Sequence, residues 1–144
     1  MKLVDTNVLL YAVHEEARFH AESLGWLDAT LSSGEGVVLP WVTLLGFVRI
    51  STRPGIYAQP QSAQEAFDIV DAWLAVPSVI TGEPDLRHAS RVRDLLVATG
   101  TGGNLVTDAH LGALALQYDA TVVSYDNDFG RFPGVRWERP AVGV

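Results

Sequence analysis

Five short β-rich runs punctuate this chain, at residues 3–4, 37–39, 79–81, 121–125 and 135–137, and segments with helical periodicity separate them. Strands that alternate with helices in this way pack as a parallel sheet between helix layers. The expected class is therefore α/β: a three-layer α/β/α sandwich around a central, mainly parallel, five-stranded sheet. The helices carry their own signals. Ser62 followed by Glu65 has the form of a capping box, and Ala66, Phe67, Val70, Trp73 and Leu74 follow at helix spacing up to Pro77. Asp85 is placed to cap a helix bearing Ala89, Val92 and Leu96 that Gly100 ends. Thr107 is placed to cap the next, with Leu111, Leu114, Ala115 and Tyr118 on or near its buried face. On an earlier helix Leu24, Leu27 and Leu31 predict a core stripe, which leaves Phe19 and Trp26 on another side, open to a partner. Residues 53–60 read as a mobile surface connection. No repeat, low-complexity tract or long linker divides the sequence, so residues 1–144 are expected to form one domain.

Composition narrows the chemistry. With 10 Lys+Arg against 17 Asp+Glu, the formal net charge is −7. A broad basic face of the kind that grips nucleic acid electrostatically is thereby excluded, and any nucleic-acid function must be local. Cysteine is absent, which removes disulfide scaffolds, thiolate zinc sites and cysteine nucleophiles together. The longest near-apolar stretch, residues 37–48, is broken by Pro40 and falls short of the roughly 20 residues that span a bilayer. The opening residues place Lys2 and Asp5 around an apolar run too short for a secretion signal. A cytoplasmic protein without a membrane anchor is expected.

Three acids stand where a core would not choose them. Asp5 directly follows the first strand, Asp126 directly follows the fourth, and Asp108 begins the helix that precedes the fourth. In an open parallel sheet the carboxyl ends of the strands line the crevice where ligands bind, above all where strand order reverses. If the first and fourth strands are neighbours, Asp5, Asp108 and Asp126 meet there, with Asp128 two residues beyond. Converging carboxylates repel one another unless a cation holds them. Oxygen donors without cysteine or a spaced histidine pair select Mg²⁺, or Mn²⁺, over Zn²⁺. Such an ion suits phosphoryl chemistry. Taken singly, Asp5 and Asp108 also serve as ordinary helix-terminus acids.

These residues carry a resemblance. LVDTNVLLY near the start, LPWVTLLGFVRISTRPGIY in the middle, GGNLVTDAHLGALALQYDATVVSYDNDF and the closing RFPGVRWERP together resemble the PIN-domain ribonucleases, and within them the VapC toxins of toxin–antitoxin pairs. The resemblance spans nearly the whole chain. It implies a PIN-like sandwich, divalent-metal-dependent cleavage of RNA such as tRNA or rRNA loops, inhibition of translation, homodimerisation, and neutralisation by a VapB-type antitoxin. By position it implies Asp5 and Asp126 as metal ligands, Asp108 as a ligand or its immediate support, and Thr6, Asn7 and Asp128 as supporting polar groups, Asp128 with a possible ligand role. The chain departs from the family at one place. PIN domains generally carry a Glu on the helix after the second strand, and Gly46 stands there. The expectation that follows is one well-held ion, with Asp128 compensating.

Other signals are weaker. Thr101, Gly102, Gly103 and Asn104 lack the Lys of a phosphate-binding loop and do not follow a strand. His110 lies two residues past Asp108 and is expected on another face of the helix, while His14, His20 and His88 form no constellation in sequence. No G-x-S-x-G elbow supports a serine hydrolase. Tyr11 is expected to be buried rather than to stack on a base. Two other functions compete with the nuclease: a PIN-fold module that binds an antitoxin or RNA without cleaving, motivated by Gly46, and an aspartyl-phosphate enzyme or receiver. The latter wants an Asp where Asn7 stands or a late Lys, and the chain's one Lys is Lys2.

Overall fold

The computed structural model describes residues 1–141; the end of the expected domain, at residue 144, lies outside the described residues. In chain order the elements are β1 (Lys2–Val4), α1 (Thr6–Val13), α2 (His20–Ser32), β2 (Val37–Val38), α3 (Trp41–Ser51), α4 (Ala63–Leu74), β3 (Val79–Ile80), α5 (His88–Thr99), α6 (Leu105–Gln117), β4 (Thr121–Val123), a 3₁₀ turn (Asn127–Arg131) and β5 (Trp137–Glu138). The strands form one sheet in the order β3-β2-β1-β4-β5. Every pairing is parallel, with Lys2 opposite both Val37 and Thr121. The chain builds outward from β1 to β3, then returns to lay β4 on the other side of β1. The strand order therefore reverses between β1 and β4, and a crevice opens above their carboxyl ends.

Strand pleating sends alternate residues to opposite layers. Val4 and Val123 face the layer of α1 to α4, where Leu9, Leu27, Leu44, Phe47 and Trp73 complete a core. Leu3 and Val122 face α5 and α6 with Leu95, Leu111, Leu114 and Phe129. This is the α/β/α sandwich expected from the alternation of elements. No helix among the described residues is long and apolar enough to cross a membrane.

Several local expectations hold and several change. The capping box forms: the Ser62 hydroxyl accepts from the Glu65 amide at 3.1 Å and Glu65 accepts from the Ser62 amide at 3.2 Å. Ala66, Val70 and Trp73 are buried on α4, but Phe67 points outward, 40% exposed. Gly100 ends α5 in the left-handed region as only glycine does readily. On α2 the buried face is Ser23, Trp26, Leu27 and Thr30, whereas Leu24 is 38% exposed. Trp26, expected on an open stripe, is a core residue at 6% exposure. The phase was disguised because two positions of the inward face are polar, and Ser23 is satisfied there by the Tyr125 hydroxyl at 2.8 Å.

The helix starts near α5 and α6 also differ. Arg87 and Asn104, not Asp85 and Thr107, stand at their N-caps, and the side chain of neither accepts a capping hydrogen bond. Asp85 acts one turn earlier, accepting from the Arg87 amide at 2.9 Å and from the Arg91 guanidinium at 2.6 Å. Leu95 is the buried residue of α5, and Ala89 is exposed. β4 stops at Val123 and β5 begins only at Trp137; the Ser124 amide still donates to the Glu138 carbonyl at 3.1 Å, but the Tyr125 amide turns to the Asn7 side chain. The connection at 53–60 is pinned: Tyr57 stacks on His14 with centroids 3.7 Å apart, and the Ala58 amide donates to Glu16 at 3.0 Å.

Candidate metal centre at the carboxyl edge of the sheet

Asp5 leaves β1 with its amide still donating to the Val123 carbonyl at 3.1 Å, so the β1–β4 pairing carries on to the rim. It then caps α1, its Oδ1 accepting from the Thr6 amide at 2.7 Å. Its second oxygen accepts from the Ser124 hydroxyl at 2.7 Å and from the Asn7 amide group at 3.3 Å. The carboxylate is thus both helix cap and rim acid. Its burial raises the pKa above the ordinary value, opposed by the bonds from Ser124 and Thr6, with the charge of Asp126 adding to the rise.

On the β4 side, Asp126 caps the 3₁₀ turn by accepting from the Asp128 amide at 2.9 Å. That turn swings Asp128 back toward Asp126, and the first turn of α6 brings Asp108 to both. Ligand oxygens of Asp108, Asp126 and Asp128 lie within 4.8 Å of one another. Asp108 shows the consequence: burial, then the charges of Asp126, Asp5 and Asp128, push its carboxyl up to about 7. Arg131 reaches Asp128 at 3.5 Å from an exposed position and screens it weakly.

All four aspartates singled out in the sequence are therefore brought to one rim, with Asp108, Asp126 and Asp128 as the tight group and Asp5 bonded beside them. The donor set fits a hard dication. It is all carboxylate oxygen, its spacing suits one ion that keeps some of its waters, and its mutual repulsion is what such an ion relieves. Thr6 turns away from the acids, its hydroxyl donating to the Thr43 carbonyl at 3.3 Å. Asn7 bridges strands: its amide group donates to Asp5 and Ser124, and its Oδ1 accepts from the Tyr125 amide at 3.2 Å.

Ser124 is the functional residue that sequence reasoning missed. It is fully buried. Its hydroxyl donates to Asp5 and accepts from the Asn7 amide group at 3.2 Å and the Asp126 backbone amide at 2.9 Å, which uses its one donor and both lone pairs. Its carbonyl accepts from the Trp137 indole at 3.0 Å. One hydroxyl therefore fixes the spacing between the acids of β1 and β4. Its place directly between the strand and Asp126 was the available signal.

A cavity of about 500 Å³ opens beside the acids, lined by Asp5, Thr6, Leu45, Gly46, Arg49 and Thr107 among others. The histidines stand elsewhere. Contrary to expectation they do form a constellation: His88 Nε2 and His110 Nδ1 share a hydrogen bond of 2.7 Å between α5 and α6. Burial lowers the pKa of both, further depressed at His88 by Arg91 and at His110 by His88. His14 bonds Ser51 at 2.9 Å and His20 bonds the Tyr11 carbonyl at 2.8 Å; both bonds are structural.

Comparison with known proteins bears on this geometry. The PIN domain family matches residues 2–135. Ribonuclease VapC37 of Mycobacterium tuberculosis is 50% identical over 140 residues, covering 97% of each chain. Among solved structures, FitAcB from Neisseria gonorrhoeae superposes with a TM-score of 0.69 at 18% identity, over 97% of this chain and 98% of that one. VapBC2 from Rickettsia felis, bound to a DNA fragment from their promoter, gives 0.65 at 17% identity, over 96% and 97%. At such identities the structural likeness speaks for the fold.

Proposed function

This chain belongs to the PIN domain family, and from that premise we propose that it is a divalent-metal-dependent endoribonuclease, the toxin of a VapBC-type pair. It would act in the cytoplasm on loops of tRNA or rRNA, and so arrest translation and growth. The observation that carries the reading is the tight group of Asp108, Asp126 and Asp128 at the strand-order reversal, with Asp108 pushed up to about 7 by burial and its acidic neighbours. The 50% identity to a protein named a VapC ribonuclease supports the substrate class.

In this reading Asp108, Asp126 and Asp128 hold Mg²⁺ or Mn²⁺, with Asp5 as the fourth acid. When bound, the ion supplies a lowered water pKa and positive charge facing the scissile phosphate. The chain's own contribution is rigidity. Ser124 and the Thr6 amide hold Asp5 in one rotamer, Asn7 ties α1 to the end of β4, and the Asp128 amide orients Asp126, so no acid need reorganise during turnover. The neighbouring cavity, with Arg49 on its wall and apolar flanks from Val42, Leu45 and Ile50, suits one unstacked nucleotide, which favours single-stranded RNA. Homodimerisation accords with the apolar surface that α3 leaves open outside that cavity at Trp41, which is 45% exposed.

The test is Asp5→Asn and Asp126→Asn, each assayed for Mn²⁺-dependent RNA cleavage and for growth inhibition. Both activities are expected to fall to background; full activity in both variants overturns the assignment. Gly46 favours a second reading, a module that retains antitoxin binding without chemistry. Calorimetry separates the two: no Mn²⁺ uptake at millimolar concentration beside tight antitoxin binding supports the second.

A further inference from the structure

The chain's acidity leaves open how it would hold a polyanion. Among the described residues, three of the nine arginines are paired with acids, Arg91, Arg131 and Arg136. Two others converge on one aromatic stack. Phe19, at the start of α2, and Tyr125, just past β4, lie with centroids 4.5 Å apart and planes within 9°. Arg139 stands beside the stack within reach of both rings, 4.9 Å from the centroid of Tyr125 and 5.2 Å from that of Phe19. Arg18 stands over Phe19 at 4.9 Å. Tyr11 braces the stack from α1, tilted against both rings.

Both arginines are exposed, and neither has a carboxylate within ion-pair distance among the described residues. In a chain with 17 acids this is not for want of partners. The acid beside the stack, Glu22, accepts instead from the Tyr125 hydroxyl at 2.9 Å. A guanidinium held by its face over a ring keeps its edge of N–H donors free, in the fork that matches a phosphate.

Position gives this surface its meaning. Tyr125 is bonded in sequence to Asp126, and Asn7 ties the backbone amide of the one to the network that spaces the acids. Arg139 follows β5 directly and stands against Tyr125, which lies between the end of β4 and Asp126, so the stack and its arginines stand on the same carboxyl rim as the acids. An anion laid across that rim meets two cations immediately before the acid group.

We propose that Arg18 and Arg139, carried on the Phe19–Tyr125 stack, clamp the backbone phosphates of single-stranded RNA beside the aspartates. This rests on the ribonuclease reading above. The rings spend one face each on the other and Tyr11 lies tilted against both, so the groups this surface presents to a ligand are the two guanidinium ions beside the stack. The clamp therefore contacts the backbone alone, adding affinity without sequence preference.

The experiment measures anisotropy of a labelled single-stranded RNA in EDTA, where metal-dependent cleavage is silent, from 50 to about 300 mM KCl. It compares the wild-type chain, Arg18→Gln/Arg139→Gln, each single variant, and Arg87→Gln/Arg93→Gln on α5 as control. Loss of two phosphate contacts should lower the logarithmic salt slope by about 1.4, at ~0.7 per contact for single strands, and weaken binding roughly tenfold or more at low salt; each single variant should show about half the slope change, and the control none. With Mn²⁺ present, KM should rise by the same factor for unrelated sequences while kcat stays within about twofold. An unchanged salt slope in the double variant overturns the clamp, as does a fall in kcat with KM unmoved. Loss of antitoxin binding with RNA affinity intact assigns the surface to an acidic protein segment and also overturns it. Should the double variant not fold, the single variants carry the same comparison. Wild-type protein that binds RNA through these arginines but never cleaves it sinks the ribonuclease reading and leaves the clamp; cleavage with indifferent variants does the reverse, and absence of both binding and cleavage sinks both.

Discussion

Replacing Asp108 with Asn should make the metal-free protein more stable while removing its response to metal. A carboxyl raised from 3.8 to about 7 corresponds to about 4 kcal/mol at full strength, and solvent at this half-buried side chain screens that to ~2 kcal/mol. The sign follows from linkage. Because the folded value lies above the unfolded one, stability is full below about pH 4, declines as pH rises and levels off above about pH 7. Asn carries no charge and escapes that decline, though it forfeits a favourable acid in the first turn of α6, about 0.5 kcal/mol. The balance, ~1.5 kcal/mol, is about 5 °C in melting temperature for a chain of this size. Thermal melts in EDTA at pH 8 should show the variant higher, and the gap should close near pH 4. Mn²⁺ at about 100 times its dissociation constant should then lift the wild-type protein by ~2.7 kcal/mol and reverse the order, leaving the variant nearly still. A variant less stable than wild type in EDTA at pH 8, or equally lifted by Mn²⁺, refutes the picture of a repulsive pocket relieved by a cation.

Ser124→Ala strips partners from Asp5, Asn7 and the Asp126 amide at a fully buried position, so urea melts should show a loss of about 2–3 kcal/mol and Mn²⁺ affinity should drop roughly 10- to 100-fold; unchanged metal affinity would show that the acids are spaced by something else. Trp26→Ala should cost about 3–5 kcal/mol by denaturant unfolding, against the ~0.5 kcal/mol or less of a surface site. The His88–His110 pair, with both values lowered by burial, adds stability above the ordinary 6.5 that is lost as pH falls through the folded values. Between pH 7.5 and 5 the wild-type protein should therefore lose melting temperature relative to His88→Gln/His110→Gln, and parallel curves would count against it.

What could be read from the sequence was whatever depends on local spacing. Strand-helix alternation, the Ser62–Glu65 box and the Gly100 stop are local rules, and each appears in the fold. Asp5 and Asp126 were legible because a parallel sheet puts every strand's carboxyl end on one rim, and Asp108 because a helix that leads into a parallel strand starts at that same rim. Where a residue's role is set by a partner far along the chain, the signal is absent. Trp26 was misassigned because Ser23 and Thr30, on the same inward face, look like surface residues until Tyr125 arrives 102 positions later to satisfy Ser23. The His88–His110 bond is hidden for the same reason.

Gly46 belongs to both accounts. A Cβ there would lie 3.0 Å from the Thr6 hydroxyl and 3.3 Å from its methyl group, closer than ordinary van der Waals contact, and that hydroxyl is itself bonded to the Thr43 carbonyl on α3. α3 thus lies against the start of α1 more tightly than a larger residue comfortably allows, which suits the glycine found there. The tight acid group sits on the β4 side of the crevice, where the 3₁₀ turn folds Asp128 onto Asp126. On the proposed reading this seats a single ion toward β4, and it leaves the cavity between α1 and α3, walled by Leu45 and Arg49, free for the nucleotide that the ion acts upon.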